Sequence, residues 1–379
     1  MRRARRTNRI KRRVYRNTQG EGEVSSNNAM RKKDKLKGGE TMRIILDGMG
    51  GDNAPAAVVE GAVLASDLIE HEIIITGDRD IIYKELSKHK FNPGKITIEH
   101  APEVITNDDT PVKAVRTKRN SSMVVGMNLL KEGKGDVFLS AGNTGALMAG
   151  GLFILGRIQG IDRPAIATTY PILNGEGVAL LLDAGANSEC KPNNLLEFAL
   201  MGSLYMENVL NVESPRVGLV NIGTEESKGT TVVKSAHELL RKSDVNFIGN
   251  IEARELPKGA CEVIVCDGFV GNVILKLTEG LAWNIFKLVK AKFTAGITAK
   301  MGAFLLSGKL KELKKEFDYS EYGGAPILGI KGPVVKMHGS SSSNGVKNAI
   351  IKAIPFAEHA VVSMIQNKAV DIEEILISE

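Results

Sequence analysis

The sequence is poor in cysteine and in aromatic side chains. Among its 379 residues are 3 cysteines, 1 tryptophan and only 5% aromatic residues in total. Cys190, Cys261 and Cys266 form neither a disulfide framework nor a CxxC zinc pair, and they fit a reducing compartment. Sparse aromatics argue against a surface that stacks nucleic-acid bases. No apolar run approaches the roughly 18 residues of a membrane-spanning helix, which disfavours the transmembrane and secreted classes.

Several catalytic and cofactor motifs are also absent. The chain has no GxxxxGK[ST] phosphate loop, no GxSxG nucleophile turn and no HExxH zinc motif. Its GMGGDN segment has Asn53 where the last glycine of a GxGxxG dinucleotide fingerprint belongs. These absences disfavour P-loop, covalent acyl-enzyme, zinc and dinucleotide chemistry. They leave a reaction that works by positioning and electrostatics on an anionic substrate.

The basic residues are concentrated at the amino terminus. Of the 50 Lys and Arg residues, 14 lie in residues 1–41, but only 4 of the 44 Asp and Glu residues do. This leader therefore has a net charge of +10 and the rest of the chain −4, so the body has no global nucleic-acid signature. The leader lacks the apolar core of a secretory signal. We expect a disordered extension outside the fold; a transit peptide or an anchor for anionic lipid or nucleic acid are the alternatives.

From Arg43 onward, apolar β-branched runs alternate with segments of helical period. This alternation, with nearly continuous apolar strands, predicts a mostly parallel sheet covered by helices on both faces. We therefore predict a three-layer α/β/α architecture in a single domain spanning residues 42–379. The predicted strands are Arg43–Asp47, Glu72–Thr76, Ile96–Glu99, Asp136–Ser140, Ala165–Tyr170, Val178–Asp183, Arg216–Asn221, Val245–Gly249 and Glu262–Asp267. The predicted helices between them include Ala54–Leu68, Val112–Lys131, Asn143–Leu155, Asn193–Val209 and Thr230–Arg241.

Five of the predicted strands end in a polar residue that is followed by glycine and a new helix. The carboxyl ends of parallel strands face the ligand crevice, and helix starts attract anions. Each cluster by itself is more often an ordinary helix N-cap; their repetition is what predicts one polar cleft that accepts an anion. The residues of these clusters are Asp47, Gly50, Gly51, Asn53, Ser140, Gly142, Asn143, Thr144, Gly145, Asp183, Asn187, Asn221, Asp267, Gly268 and Asn272.

A sixth polar cluster, KMHGSSSSNG, occupies residues 336–345 ahead of an apolar helical pattern. Hydroxyls and backbone N–H groups at such a helix start can donate hydrogen bonds to a phosphate. A serine-rich loop with an N-cap is the alternative. His338 is the only one of the 6 histidines that is set in such a loop.

Seven blocks of the chain closely resemble the bacterial phosphate acyltransferases of phospholipid synthesis, the PlsX family. They run in the expected order from Met42 nearly to the C-terminus, whereas residues 1–41 are foreign to the family pattern. The blocks are MRIILDGMGGDNAP (42–55), SSMVVGMNLLKEGKGDVFLSAGNTGALMAGG (121–151), GIDRPAIA (160–167), LLDAGAN (181–187), NIGTEESKGT (221–230), CDGFVGNVILK (266–276) and KMHGSSS (336–342).

The resemblance implies an enzyme that transfers a fatty acyl group from acyl carrier protein to inorganic phosphate. Its product, acyl phosphate, feeds a membrane enzyme that acylates glycerol 3-phosphate. The family is similar in fold to phosphate acetyltransferase and to isocitrate and isopropylmalate dehydrogenases. It is usually dimeric, peripheral to the cytoplasmic face of the membrane, and needs no metal or redox cofactor. The alternatives are a short-chain phosphotransacetylase using coenzyme A, a dehydrogenase, and a non-enzymatic binding module that uses the basic leader.

The motifs also imply site residues. Carboxylates among them are expected to organise loops, because a bare carboxylate beside phosphate would repel it. Lys228 and Lys191 are candidate cations for phosphate, with a solvated surface position as the alternative. The residues expected to orient the thioester or its oxyanion are Asn187, Asn272 and His338. The residues expected to bind phosphate or substrate, or to shape the loops that do, are Asp47, Gly50, Gly51, Asp52, Asn53, Gly142, Asn143, Thr144, Gly145, Asp183, Lys228, Asp267, Gly268, Ser340 and Ser341.

An acidic carrier protein requires a local basic patch on a body of net negative charge. Two segments supply one, each with a solvated helix face as the alternative. The first patch is Arg116, Lys118 and Arg119, and the second is Lys309, Lys311, Lys314 and Lys315.

Residues 281–316 form an amphipathic excursion with many lysines and no acidic residue between Leu281 and Gly308. A basic amphipathic stretch predicts a membrane-surface binder. A helix pair at a dimer interface is the competing interpretation. The residues expected to contact the membrane are Phe293, Phe304, Leu305 and Leu306.

Overall fold

A computed structural model of the chain describes residues 41–173, 177–296, 302, 305, 306, 308 and 323–377. All of these belong to one compact unit, Lys37–Glu379. Three sequence predictions fall outside the described residues: all but the last residue of the leader, the second basic patch at 309–315, and Phe304.

The described residues contain strands β1–β12 and helices α1–α10. The strands are β1 Arg43–Asp47, β2 Glu72–Gly77, β3 Ile96–His100, β4 Val137–Ser140, β5 Ala165–Ile166, β6 Thr168–Pro171, β7 Val178–Leu182, β8 Val217–Asn221, β9 Phe247–Glu252, β10 Val263–Val265, β11 Ala325–Leu328 and β12 Val334–Lys336. The helices are α1 Ala56–Ser66, α2 Arg79–Leu86, α3 Pro111–Thr117, α4 Ser122–Lys131, α5 Thr144–Gly150, α6 Pro192–Asn208, α7 Thr231–Lys242, α8 Gly268–Phe293, α9 Ser343–Glu358 and α10 Val361–Ile377.

The strands form two mostly parallel sheets. The first has the order β3-β2-β1-β4-β12-β11-β5 and the second β6-β7-β10-β8-β9. In the first sheet β11 runs antiparallel to both of its neighbours, and in the second β6 runs antiparallel to β7. The predicted mostly parallel α/β architecture is confirmed, with its strands divided between two sheets.

Helices cover both faces of the first sheet. Alternate residues of each strand point to opposite faces, and because both sets are apolar, both faces must be covered. Ile44 and Leu46 belong to the apolar cluster that includes α1 and α9, whereas Ile45 and Phe138 belong to the cluster that includes α4. Helix α4 lies very close to the sheet: a Cβ at Gly126 would come within 2.3 Å of the Phe138 ring. The buried apolar run at each strand is therefore explained by packing on two sides.

One predicted strand, Ala165–Tyr170, is two strands that belong to different sheets. Ile166 pairs with Ile327 in the first sheet, while Thr168 pairs with Leu181 in the second. A continuous apolar run carries no local signal for a change of sheet, because both halves are buried. This crossing joins the two sheets, and a cleft opens between them.

One predicted helix, Val112–Lys131, is also divided. Helix α3 ends at Thr117 and α4 starts at Ser122, with the Ser121 hydroxyl accepting a hydrogen bond from Val124 N at 3.4 Å. Between them, Asn120 N donates to the Glu103 carboxylate at 2.9 Å. This contact to a distant part of the chain competes with a continuous helix.

Within the described ranges, no single helix is both long and apolar enough to cross a membrane. The pair Ser343–Glu358 and Val361–Ala369, bent by 47°, meets that test by length and composition alone.

Candidate active site

A cleft of about 840 Å³ lies where the carboxyl ends of β4 and β12 meet the carboxyl end of β7. Helix α8 forms one of its walls. The cleft therefore occupies the edge at which the sequence predicted a polar site. Five of the predicted site residues line it: Thr144, Asn272, His338, Ser340 and Ser341.

The serine loop between β12 and α9 is held in place by its own hydrogen bonds. His338 Nδ1 and Ser340 Oγ lie 2.9 Å apart, and Ser341 Oγ donates to His338 O at 2.7 Å. Asn53 Nδ2 donates to the carbonyls of both serines, at 3.1 and 3.2 Å. Asn53 thus positions the loop from outside the cleft, and α9 begins at the loop with Ser342 as its N-cap. The N-terminus of this long helix favours an anion in the cleft.

The loop after β1 packs against the serine loop and the loop after β4. Asp47 is 1% exposed and accepts a hydrogen bond from Ser140 Oγ at 2.6 Å; burial raises the pKa of its carboxyl. A Cβ at Gly50 would lie 2.4 Å from that carboxylate and 2.8 Å from Gly142 N. Gly51 has φ +104° and also leaves no room for a side chain. The two glycines are needed for loop-to-loop packing. Asp47, Gly50 and Gly51 are not among the residues lining the described cleft.

The Asn143 side chain is committed to local structure. Its Oδ1 accepts from Ala146 N at 3.0 Å as the N-cap of α5, and its Nδ2 donates to Thr106 O at 3.1 Å. A Cβ at Gly145 would lie 2.7 Å from Pro111, which brings α3 against the start of α5. Asn143 and Gly145 therefore fix the helix start that presents Thr144 to the cleft.

Asp183 organises the loop after β7. Its side chain is 0% exposed and accepts hydrogen bonds from Ile166 N, Ala186 N and Asn187 N at 3.1, 3.0 and 2.6 Å. Burial raises the pKa of Asp183, while these hydrogen bonds oppose the rise. Because Ile166 belongs to the first sheet, the carboxylate ties the two sheets together beside the cleft.

Asn187, predicted to orient the thioester, uses its amide elsewhere. Its Nδ2 donates to Asp183 Oδ2 at 2.9 Å and to Pro164 O at 2.8 Å. Gly268 N donates to Asn187 O at 2.7 Å, and Asp267 Oδ1 accepts from Val270 N as the N-cap of α8. This group holds the start of α8, from which Asn272 reaches the cleft.

The two lysines proposed from the sequence are exposed and lie outside the lining of the described cleft. Lys228 sits in the loop after β8, where its carbonyl accepts from Asn221 Nδ2 at 3.1 Å. Lys191 directly precedes α6. The structure thus brings neither of them to the serine loop.

Lys336, which sequence reasoning did not select, is the lysine that lines the cleft beside the serine loop. It is half-buried at the end of β12, and its Nζ donates to Ala141 O at 3.2 Å and to Met337 O. Burial lowers the pKa of Lys336 to about 8, although nearby Asp47 and Asp52 favour its charged form. Its place at a strand end, two residues before His338 of the HGSSS segment, was the signal that could have identified it.

Among the described residues, no group of three or more His, Cys, Asp or Glu side chains is placed to hold a metal ion. On α8 the cleft is lined by Asn272 and by the ion-paired Lys276 and Glu279. The polar groups beside the serine loop are hydroxyls, a histidine, a lysine and helix N–H groups. Such groups bind an anion by hydrogen bonding and charge, and they can stabilise an oxyanion.

Two solved structures share this architecture at low sequence identity. A phosphotransacetylase from Streptococcus pyogenes aligns with a TM-score of 0.56 and 19% identity, covering 87% of this chain and 97% of that one. A branched-chain phosphotransacylase from Enterococcus faecalis V583 aligns with a TM-score of 0.53 and 13% identity, covering 84% and 100%. The fold is that of the phosphotransacetylase class.

Sequence relatives identify the family. A family model described as fatty acid synthesis protein matches residues 42–364. The phosphate acyltransferase of Alkaliphilus oremlandii is 54% identical over 324 residues, which cover 86% of this chain and 96% of that relative. The phosphate acyltransferase of Clostridioides difficile is 51% identical over 321 residues, covering 85% and 94%. The chain belongs to the phosphate acyltransferase family, and the predicted resemblance and enzyme class are confirmed.

Proposed function

We propose that this enzyme transfers a fatty acyl group from acyl carrier protein to inorganic phosphate, and that residues 42–379 form the acyltransferase domain. The observation that carries the proposal is one cleft in which an anion-binding loop adjoins an apolar helix wall. The loop supplies Ser340 and Ser341, with Lys336 beside it, and the wall is α8. Family membership supports phosphate as the acceptor.

In the proposed reaction, a phosphate oxygen attacks the thioester carbonyl carbon directly. Lys336, the two serines and the start of α9 hold the phosphate, so that attack becomes effectively intramolecular. Asn272 and His338 line the same cleft and are the candidates to meet the developing oxyanion. The C–O bond forms, the C–S bond breaks, and the carrier thiolate leaves and takes a proton from solvent.

A covalent cysteine intermediate is disfavoured by the state of the thiols. Burial, with help from Asp183 and Asp267, raises the pKa of Cys190 to about 12, and burial raises the pKa of Cys261 to about 12. Cys266 is buried and its pKa is also raised. With such raised pKa values, the three cysteines remain thiols near neutral pH. Only the thiolate is an effective nucleophile, so none of them is suited to attack a thioester.

The test is to incubate palmitoyl-carrier protein with phosphate and the full chain, then to measure acyl phosphate and free carrier thiol. We expect both to appear in equal amounts and only when phosphate is present. Thiol release that is independent of phosphate, or no release at all, would remove the proposal. Deleting residues 1–41 should preserve this activity, whereas a binding module that depends on the leader would lose its function.

We propose the first basic patch as the docking surface for the acidic carrier. Arg116 lies over the exposed Phe153 ring at 5.0 Å, whereas Lys118 is paired with Asp109 at 2.6 Å. Arg116 and Arg119 are thus the cations to test; Arg116 lies on α3, which packs beside the start of α5, and Arg119 lies in the turn that follows α3. Arg116→Glu with Arg119→Glu should raise KM for carrier-bound donor severalfold. Lys234→Glu on α7 is the control, and an equal change in both variants would exclude the patch.

We propose a peripheral location on the cytoplasmic face of the membrane and a homodimer. Leu305 and Leu306 are 82% and 47% exposed, which suits contact with lipid. Phe269, Val273 and Leu277 form an exposed stripe at four-residue spacing on α8, which suits pairing with a second copy. Location at the membrane would deliver acyl phosphate to a glycerol 3-phosphate acyltransferase there.

A further inference from the structure

Helix α8 presents a deep apolar row to the cleft. Leu275, Ala282 and Phe286 all line the cleft at helical spacings of seven and four residues. Leu275 and Ala282 are only 9% and 8% exposed. This row is therefore the floor of a groove that is shielded from water.

A second row on α8 forms the rim of this groove. Lys276 and Glu279 make an ion pair at 2.8 Å, and the Lys276 side chain is 57% exposed. Trp283 continues the row with 71% exposure. Charged groups thus lie at the water-facing edge and partner each other, while the floor beside them is apolar.

The opposite wall of the groove comes from the first sheet and the segments next to it. Ile166, Ala325 and Met337 line the cleft there, and Ile166 and Met337 are buried. An apolar floor and an apolar facing wall make a slot that suits a hydrocarbon chain. The serine loop lies in the same cleft, so an acyl carbonyl held there would leave its chain free to enter the slot.

We propose that this slot holds the fatty acyl chain and that Ala282 sets the chain length the enzyme accepts. The inference rests on the proposed acyl transfer. Helix α8 rises about 21 Å from Asn272 at the polar end to Phe286 at the apolar end, which is long enough for a long-chain acyl group. Ala282 lies well along this path, and its methyl is the smallest side chain on the floor. A larger residue there closes the slot to the distal carbons only.

The test compares octanoyl- and palmitoyl-carrier protein as donors for the parent and for Ala282→Leu, without membranes. The leucine should lower kcat/KM for palmitoyl donor about tenfold or more, since pockets discriminate one misplaced methylene by roughly that factor. The octanoyl value should stay within about twofold. Ala291→Leu makes the same change at an exposed position of α8 outside the cleft lining, and it should leave both values unchanged.

A second variant keeps the proposal testable if the leucine disturbs folding. Trp283→Ala removes an exposed apolar side chain from the rim, and it should reduce the preference for palmitoyl over octanoyl severalfold. A parent that makes no acyl phosphate from either donor contradicts the proposed function itself. If the parent is active and both cleft variants keep the parent's chain-length preference, the acyl slot alone is contradicted.

Discussion

At the scale of single residues, the polar side chains near the cleft divide into two groups by whether they line it. Asp183, Asn187 and Asn143 are occupied by backbone groups and hold loops in place. Lys336 and Ser340 line the cleft itself. The distinction matters for mutagenesis, because loss of a loop-holding residue lowers stability, whereas loss of a cleft residue lowers the reaction rate.

The lowered pKa of Lys336 predicts how phosphate use depends on pH. With its pKa at about 8, the ammonium is present below that pH and is lost as pH rises through it. The value of kcat/KM reports groups of the free enzyme, so kcat/KM for phosphate should fall about tenfold per pH unit above about pH 8. Phosphate is already dianionic there, so its own titration does not supply this fall.

Replacing Lys336 by methionine should remove this dependence. Lys336→Met should lower kcat/KM for phosphate about 100-fold or more, the usual effect of removing one electrostatic donor, and should flatten the profile above pH 8. Lys331→Met, at an exposed lysine before β12, should retain the parent profile. A parent-like alkaline fall in the Lys336→Met enzyme would show that another group titrates.

Glu197 predicts a pH dependence of stability. It is 2% exposed on α6, accepts hydrogen bonds from Asp162 N and Arg163 N, and has its pKa raised by burial to about 7. Between its ordinary pKa and about 7 the native carboxyl keeps a proton that the unfolded chain releases. The free energy of unfolding therefore falls as pH rises through that window, by up to about 3 kcal/mol.

Glu197→Gln isolates this effect, because glutamine accepts the same hydrogen bonds without titrating. Urea unfolding at about pH 5 and about pH 8 should show a smaller loss of stability in the variant than in the parent. Other titrating groups contribute equally to the pH dependence of both proteins, so their contribution cancels when the variant is compared with the parent. Identical pH dependence in both would mean that Glu197 is ionised throughout.

At the scale of elements, strand ends and helix starts carry most of what the sequence predicts. Strand β1 has its predicted bounds, Arg43–Asp47, and the polar clusters stand at the carboxyl ends of β1, β4, β7, β8 and β10 as predicted. These features are local, since an apolar run, a glycine and a capping residue are adjacent in the chain. The fold class followed from them.

Features set by distant contacts were not predictable in this way. The sheet change after Ile166 depends on pairing with Ile327, and the α3–α4 break involves Glu103. Lys336 reaches the site because β12 inserts beside β4, which brings residues nearly 200 positions apart within hydrogen-bonding distance. Lys228 was chosen on its motif, but its loop belongs to the second sheet.

Asp183 provides the test of how the two sheets are joined. Both of its oxygens accept hydrogen bonds, and Asp183→Asn would place an N–H₂ group against backbone N–H donors. This change should lower the free energy of unfolding by about 3 kcal/mol. Asp67→Asn, at an exposed carboxylate after α1, should change it by less than about 0.5 kcal/mol. Urea unfolding measures both changes. If the Asp183→Asn variant is as stable as the parent, Asp183 does not hold the two sheets together.

At the scale of the whole molecule, helix α8 connects the proposed activities. Its start is held by the loop of the second sheet, its inner side lines the cleft, and its outer side exposes apolar residues. The chain then continues to Leu305 and Leu306 through a segment that is basic and lacks acidic residues. In the chain these leucines follow the apolar end of α8, toward which the proposed acyl slot runs.

Membrane contact at this end is the last prediction. Leu305→Glu with Leu306→Glu places two charges where the apolar side chains would enter lipid. The variant also loses the favourable free energy of transferring the two leucine side chains from water to lipid. The fraction of enzyme that sediments with anionic phospholipid vesicles should fall at least about tenfold. Acyl transfer to phosphate from soluble carrier should be retained, because neither leucine lines the described cleft.

The control is Ile222→Glu, since Ile222 is 79% exposed in the loop after β8 and no lipid contact is proposed there. It should sediment with vesicles like the parent. If the parent, the double leucine variant and Ile222→Glu all bind vesicles equally, the membrane contact is contradicted. The exposed apolar residues of α8 would then be explained by the homodimer alone. Loss of binding in both variants would instead point to net charge, because added carboxylates weaken attraction to an anionic surface wherever they stand.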